Sequence, residues 1–331
     1  MQHHRWKAAL LALTLGLSGV VAACGDDDDE ASGGGSASSS EKKDYNLTLI
    51  AGVKGDEFYI TMNCGAQDKA KELGVNVEFQ GPDKFDASLQ TPIVSAVAAK
   101  QPDAVLIAPT DTKAMFAPIK QLADSGSKIV LVDTTLEQPD LAVSQIASDN
   151  EAGGREAAKA LAELIGGSGK VFVVNVKPGI STTDARAKGF EEGAKEAGLD
   201  YLGQDFSQDE PQRAAAIIKA QLAKNPDIKG VFATNLFSAE GTANGVREAG
   251  KQGDVKIVGF DAGPAQVEQL EKGDVQALIA QKPADIGAQG VEQAVKALNG
   301  EETTPKIGTE SVTITKENLA DSQDSLYKSS C

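Results

Sequence analysis

From residue 45 onward, short apolar runs rich in β-branched residues alternate with longer stretches whose apolar positions recur at helical spacing. The runs 47–53, 75–79, 104–108 and 128–132 predict strands, with helices between them at about 57–73, 86–100 and 113–125. After a further strand at 142–147 the alternation resumes, with strands near 170–176, 199–206, 228–233, 255–259 and 275–279. Helices are expected near 151–166, 183–197, 211–224, 237–249, 263–272 and 284–298. Leu73-Gly74, Ala197-Gly198 and Ala249-Gly250 read as glycine stops before the next strand. Strand–helix alternation of this kind implies parallel sheets covered on both faces. About eleven strands crowd a single open sheet, so two doubly wound α/β lobes of similar build are expected.

The first residues have a different pattern. Arg5 and Lys7 precede an apolar run at 8–22, and Ala22-Ala23 stand before Cys24. The run is too short and wrongly flanked for a transmembrane helix, and residues 1–23 read as a cleaved signal peptide. Val21-Ala22-Ala23-Cys24 resembles a bacterial lipobox, which implies lipidation of Cys24 and anchoring to the outer face of the cytoplasmic membrane. The alternative is an ordinary leader with an incidental cysteine. Residues 24–44 are acidic and rich in Gly and Ser, the composition of a flexible tether. Asp26 to Glu30 lacks the spacing of a calcium loop and reads as a solvated charge run.

Composition narrows the chemistry. The formal charge of −16 argues against nucleic acid, because neutralising phosphates needs a basic face. Both histidines and the only tryptophan lie within residues 3–6, so the mature chain has neither. Catalysis by a Ser-His-Asp or Cys-His set and a His-ligated metal site are thereby excluded, and no cofactor is implied. Catalysis by carboxylates alone, as in glycosidases, stays open, as does lysine-based chemistry.

In open α/β sheets, ligands sit beyond the carboxyl ends of the strands. The residues found there are Asp56, Phe58 and Tyr59 after the first strand, Pro109-Thr110-Asp111 after the third, and Asp133-Thr134 after the fourth. The second half contributes 181–186 with Arg186, then Asn235, Asp261 and Gln281. Carboxylates, amides, one guanidinium and two adjacent rings suit a neutral polyhydroxylated ligand, whose hydroxyls both donate and accept and whose C–H faces pack on rings. Each residue also has a plainer role. Asp56 and Asp111 can cap helices, Phe58 and Tyr59 can be core, Arg186 can form a structural ion pair, and Asn235 can belong to a turn. Asp133 and Asp261 end buried strands, where an unpaired charge is costly, so each needs a partner.

From about 45 to 315 the chain resembles the ribose-type sugar-binding proteins of bacterial ABC importers, a type 1 periplasmic binding fold shared with lac-repressor-type regulators. The resemblance rests on Phe58-Tyr59 before Gly65-Ala66-Gln67, Ala108-Pro109-Thr110-Asp111, and Ile146-Ala147-Ser148-Asp149-Asn150 with Gly153-Gly154. It continues in Asp184-Ala185-Arg186-Ala187-Lys188-Gly189-Phe190, Asn225-Pro226-Asp227, Val258-Gly259-Phe260-Asp261 and Ile279-Ala280-Gln281. It implies a monomer of two lobes joined by three hinge crossings, closing on a sugar and delivering it to a membrane permease. Lobe one would comprise 45–147 and 282–310, lobe two 148–281 and 311–317, and 318–331 a tail.

By the same resemblance Asp56, Phe58, Tyr59 and Asp133 are first-lobe ligand contacts, with Thr134 beside them. Arg186, Asn235, Asp261 and Gln281 are contacts from the second lobe and hinge. Three departures stand out: Thr134 replaces an arginine, Ala108 replaces an asparagine, and Phe206-Ser207-Gln208-Asp209 offers no clear equivalent of a second-lobe aromatic. An arginine fork is not replaced by a hydroxyl, so another pentose, a furanose or a linear polyol stands level with ribose. A sensory receptor of the same build is the alternative function. A DNA-binding regulator is not, because a leader stands where its DNA-binding helices would be.

With Cys24 assigned to lipid, Cys64 and Cys331 remain. Outside the cytosol they can pair, strapping the 321–330 tail to lobe one. Otherwise Cys64 is a small buried apolar residue and Cys331 a free thiol.

Overall fold

The structure is a computed structural model that describes residues 44–331. The leader, Cys24 and all but the last residue of the tether lie outside the described residues.

Two six-stranded sheets carry the fold. The first contains β1 (Asn46–Ile50), β2 (Asn76–Gln80), β3 (Ala104–Ile107), β4 (Lys128–Val132), β5 (Ser144–Ser148) and β11 (Lys306–Thr309). The second contains β6 (Lys170–Asn175), β7 (Asp200–Phe206), β8 (Ile228–Ala233), β9 (Lys256–Phe260), β10 (Ala277–Ala280) and β12 (Val312–Thr315). Their orders, β11-β5-β4-β3-β1-β2 and β12-β10-β9-β8-β6-β7, are the same winding used twice. Strand β12 runs antiparallel to β10, and the other pairs are parallel. The chain passes between the sheets from β5 to the helix after it, from β10 to the helix after it, and from β11 to β12.

The helices are α1 (Glu57–Leu73), α2 (Ala87–Lys100), α3 (Phe116–Asp124), α4 (Asn150–Leu164), α5 (Ser181–Glu196), α6 (Pro211–Lys224), α7 (Leu236–Glu248), α8 (Pro264–Lys272) and α9 (Pro283–Asn299). Helix α3 starts later than its pattern indicates because Asp111 Oδ1 accepts the Lys113 and Ala114 N–H groups, which holds 111–115 as a turn. Strands β11 and β12 leave no mark in the hydrophobic pattern; at four residues each they are too short for a period to register. Gly74, Gly198 and Gly250 take left-handed φ at the expected helix ends.

Central strands are buried on both faces and read as unbroken apolar runs, Ala104–Ile107 and Ala277–Ala280 among them. The edge strands β2 and β7 are half exposed and mixed. On the outer face of the first sheet, Val105, Ile107, Ile129 and Leu131 pack against Val94, Val97, Ile119 and Leu122 of α2 and α3.

Glycines set how closely the cleft helices approach. A Cβ on Gly154 of α4 would stand 2.1 Å from the Arg186 carbonyl oxygen, and one on Gly189 of α5 2.0 Å from that of Glu151. Helices α1 and α9 repeat the device, with Gly65 against Ala284 and Gly287 against Met62, each at 2.0 Å. Backbone contact at both crossings fixes the N-terminal halves of α1 and α5, which carry Phe58, Tyr59 and Arg186. Gly189→Ala is therefore expected to cost about 1–3 kcal/mol of overpacking. Gly308→Ala, where an added Cβ meets nothing within 4 Å, should cost little. Urea unfolding of the two variants checks this; equal midpoints would refute the close-packing account.

Candidate ligand cleft

Both sheets point their carboxyl ends at a cleft between the lobes. Its walls contain Asp56, Phe58, Tyr59, Phe85 and Asp133 from the first lobe, and Val176, Ile180, Thr182, Thr183, Arg186, Asp209, Asn235 and Asp261 from the second, with Gln281 at the β10 crossing. The mouth is shut by contacts across it. Lys84 pairs with Glu210 at 2.9 Å, Lys177 Nζ donates to the Phe85 carbonyl at 2.7 Å, and the Thr112 N–H donates to the Gly179 carbonyl at 3.2 Å.

Asp133 and Asp261 occupy equivalent places, each one residue beyond the fourth strand in its lobe's chain order. Each has left-handed backbone, with φ of 61° and 79°. Such geometry is sparsely populated for a residue with a Cβ and persists only where its surroundings enforce it. Here the enforcement is a sheet-type bond, from Asp133 N–H to the Ile146 carbonyl at 2.8 Å and from Asp261 N–H to the Ile279 carbonyl at 2.9 Å. The turn swings each carboxylate into the cleft instead of leaving it along the strand.

The two acids differ in how far the protein satisfies them. Asp261 Oδ1 accepts from Gln281 Nε2 at 2.7 Å and from the Tyr327 hydroxyl at 3.0 Å, and Oδ2 accepts from the Leu236 N–H at 3.0 Å. Asp133 Oδ2 accepts from the Tyr59 hydroxyl at 2.7 Å. Asp56 Oδ1 accepts from the Phe58 N–H at 2.8 Å, so this residue is a helix cap and a cleft residue together. Asp209 Oδ1 accepts from Asn235 Nδ2 at 2.7 Å.

Arg186 is held from three sides. Its Nε donates to Asn150 Oδ1 at 2.8 Å and Nη1 to the Thr234 carbonyl at 2.9 Å. The guanidinium lies 3.8 Å over the Phe260 ring, itself edge-on to Phe232. Five donors exceed these two bonds, so the remaining N–H groups are free to serve the cleft. Thr183, on the same turn of α5, has a buried hydroxyl with no hydrogen-bond partner among the described residues.

Burial pushes Asp133 up to about 6, opposed by the Arg186 charge and the Tyr59 hydrogen bond. Burial likewise raises Asp209 to about 6, opposed by the Asn235 hydrogen bond. Asp56 is raised above its ordinary value by burial and then by the charges of Asp261 and Asp209. Three buried acids with raised pKa values thus share one small space.

Eight of the nine residues expected from the sequence line the cleft. Thr134 is the correction: its hydroxyl donates to the Pro109 carbonyl at 2.8 Å, and it lines a separate hollow with Gln145 and Ser148. The polypeptide turns at Asp133, so its neighbour faces away. Two of the eight are spent mainly on the protein. Asn235 caps α7 and tethers Asp209, while Gln281 bridges Asp261 and Ser148. Sequence reasoning did not single out Phe85, Thr183 or Asp209. Asp209 stands in the string where the ribose-type pattern has an aromatic, reached by left-handed φ at Gln208 and Asp209 in succession. Cys64 and Cys331 form a disulfide.

Residues 47–302 match the family model described as periplasmic binding protein domain. The ribose import binding protein of Salmonella typhimurium is 30% identical over 264 residues, covering 78% of this chain and 87% of that protein. A D-ribose/D-allose-binding protein of Pseudomonas aeruginosa is 30% identical over 266 residues, covering 77% and 82%. Among solved structures, a solute-binding protein of an ABC transporter from Agrobacterium vitis, bound with α-D-tagatopyranose, superposes with a TM-score of 0.83. It is 43% identical, with 86% of this chain and 99% of that one covered. Fold, cleft and relatives agree: the chain belongs to the periplasmic binding protein family.

Proposed function

We propose that this protein is an extracytoplasmic solute-binding lipoprotein that clamps a neutral monosaccharide or polyol between its lobes and hands it to an ABC permease. The observation that carries the reading is an excess of acceptors. Asp56, Asp133 and Asp209 each line the cleft, and each has one oxygen bonded to the protein while the other has no donor among the described residues. Sugar hydroxyls supply the missing donors, Arg186 meets ring or hydroxyl oxygens, and the Phe58, Tyr59 and Phe85 rings take the C–H faces. An anionic sugar acid or phosphate would face the same carboxylates as repulsion. The D-tagatose complex of the Agrobacterium vitis relative makes that ketohexose the first candidate.

The ligand favours the closed form only by contacts made there and not in the open form. Each hydrogen bond to a charged group contributes about 1.5–3 kcal/mol net, and micromolar binding requires only about −8 kcal/mol. No bond in the ligand needs to be made or broken. Tethering through lipid on Cys24 would hold the clamp near its permease at high local concentration.

Titration calorimetry of the full-length protein in detergent against D-tagatose, D-ribose, D-allose, D-arabinose and linear polyols tests the reading. We expect at least one micromolar binder, weakened about a hundred-fold or more by Asp133→Ala or Arg186→Ala. Galacturonate and ribose 5-phosphate should not bind. A folded protein that binds no neutral sugar or polyol, or that prefers the acids, overturns the assignment.

Acidity separates two effects of Asp133 and Asp209. Their folded values of about 6 lie above the ordinary 3.8, so between those limits the ligand-free native state holds more protons than the unfolded chain. These acids therefore make the empty protein more stable as pH falls through 6 toward 3.8. For Asp133 the gain is at most about 3 kcal/mol. Sugar affinity moves the opposite way, falling below pH 6 as the acceptors protonate. Thermal melts of Asp133→Asn should show a smaller rise on acidification than wild type. Parallel curves would remove Asp133 from the account.

A further inference from the structure

The last residues of the chain form a fourth connection between the lobes. After β12 a short 3-10 helix, Leu319–Ser325, leads to Tyr327, which is 5% exposed. The Tyr327 N–H donates to the Ala262 carbonyl at 3.0 Å, and its hydroxyl accepts from the Gln281 N–H at 3.0 Å while donating to Asp261 Oδ1 at 3.0 Å. All three partners belong to the second lobe or the β10 crossing. On its other side the Tyr327 ring meets the edge of Phe58, a first-lobe cleft residue, at 5.9 Å. The chain then enters the first lobe: Lys328 N–H donates to Thr61 Oγ1 of α1 at 2.7 Å, and Cys331 is bonded to Cys64 of the same helix.

Tyr327 does not line the cleft. It lies directly behind two residues that do, one from each lobe, and it is delivered there by a tail fixed to α1. We infer that Tyr327 is a positioning residue for sugar capture, setting the Asp261 carboxylate and the Phe58 ring for the closed grip, and that the Cys64–Cys331 bond keeps it in place. The inference rests on the reading of the cleft as a sugar site. Removing the hydroxyl leaves Asp261 Oδ1 with one donor instead of two and the Gln281 N–H without its acceptor, while the ring can stay. The disulfide adds a mechanical limit. The Cα atoms of residues 327 and 331 can separate by no more than about 14 Å, the length of four extended residues. Opening at this edge is bounded accordingly while Tyr327 keeps its second-lobe bonds.

The test compares wild type, Tyr327→Phe and Cys331→Ser as full-length proteins in detergent, with D-tagatose or the strongest binder of the sugar panel as probe. Tyr327→Phe is expected to weaken binding at 25 °C about ten-fold through faster dissociation, with only a small fall in the ligand-free melting temperature from the Gln281 N–H left without its acceptor. Cys331→Ser should weaken binding in the same direction. The reductant TCEP should reproduce that loss in wild type and add nothing to Cys331→Ser. A purely structural Tyr327 predicts the opposite split, a lower melting temperature with unchanged affinity, and that result overturns the inference, as does unaltered affinity in Cys331→Ser. Should wild type bind no sugar or polyol, the functional reading fails separately. The strap is then judged by small-angle scattering of the ligand-free protein: expansion on TCEP treatment supports it as a restraint on opening, and an unchanged radius of gyration overturns it.

Discussion

A carboxylate taken out of water must find donors or give up its charge, and the cleft is organised around that constraint. Asp261 finds three donors within the protein and serves as a fixed post. Asp56, Asp133 and Asp209 find one side-chain or helix-end donor each, and burial, together with the charges of neighbouring acids, raises their pKa values. On the proposed reading the ligand makes up the difference. With a polyhydroxylated ligand in the closed cleft, hydroxyl donors would meet the oxygens that the protein leaves to solvent. One imbalance then accounts for binding and for the preference of the occupied clamp to stay shut.

Duplication of the lobe supplies the geometry. The same strand order occurs twice, and at the same point in each lobe a buried strand ends in an aspartate with left-handed backbone, held by a bond to the neighbouring strand. Strain of about 1–3 kcal/mol per residue is tolerated because the sheet fixes both sides of the turn. The helices beside these turns are locked by glycine-to-backbone contact, so the N-terminal halves of α1 and α5 cannot drift. Rigid elements within each lobe leave the crossings between lobes as the places where motion is accommodated.

Much of this is legible in the sequence because strand ends in an α/β fold are predictable positions. Asp56, Asp133, Arg186 and Asp261 all stand in the short segments just beyond apolar runs, and that position alone marks them as candidates. The failures share a cause: they depend on backbone direction or on distant chain. Thr134 is adjacent to a cleft residue, but the left-handed turn at Asp133 sends its side chain to Pro109. Asp209 reaches the cleft through two consecutive left-handed residues, neither of them glycine, which no propensity signals. Tyr327 sits 66 residues from Asp261 in sequence and is brought to it by a tail that carries no long apolar period. The cysteines hint at where that tail goes, but not at what it carries.

The departures from the ribose-type pattern act together on the donor–acceptor balance. Where that pattern places an arginine, the Thr134 hydroxyl is turned away and occupied, and the 206–209 string, which offers no clear equivalent of the second-lobe aromatic, brings the Asp209 carboxylate to the cleft. Among the described residues lining the cleft, Arg186 is therefore the sole cation facing four aspartates. On the proposed reading, a ligand held here has to offer more donors than acceptors to the second-lobe wall near Asp209 and Asn235. A ring C–H face, which an aromatic would welcome, gains nothing from a carboxylate. A hydroxyl at that position gains a charge-assisted hydrogen bond. On that reading Asp209 shifts discrimination from the flat face of the sugar to the direction of its hydroxyls, the property in which epimeric sugars and open-chain polyols differ from ribose.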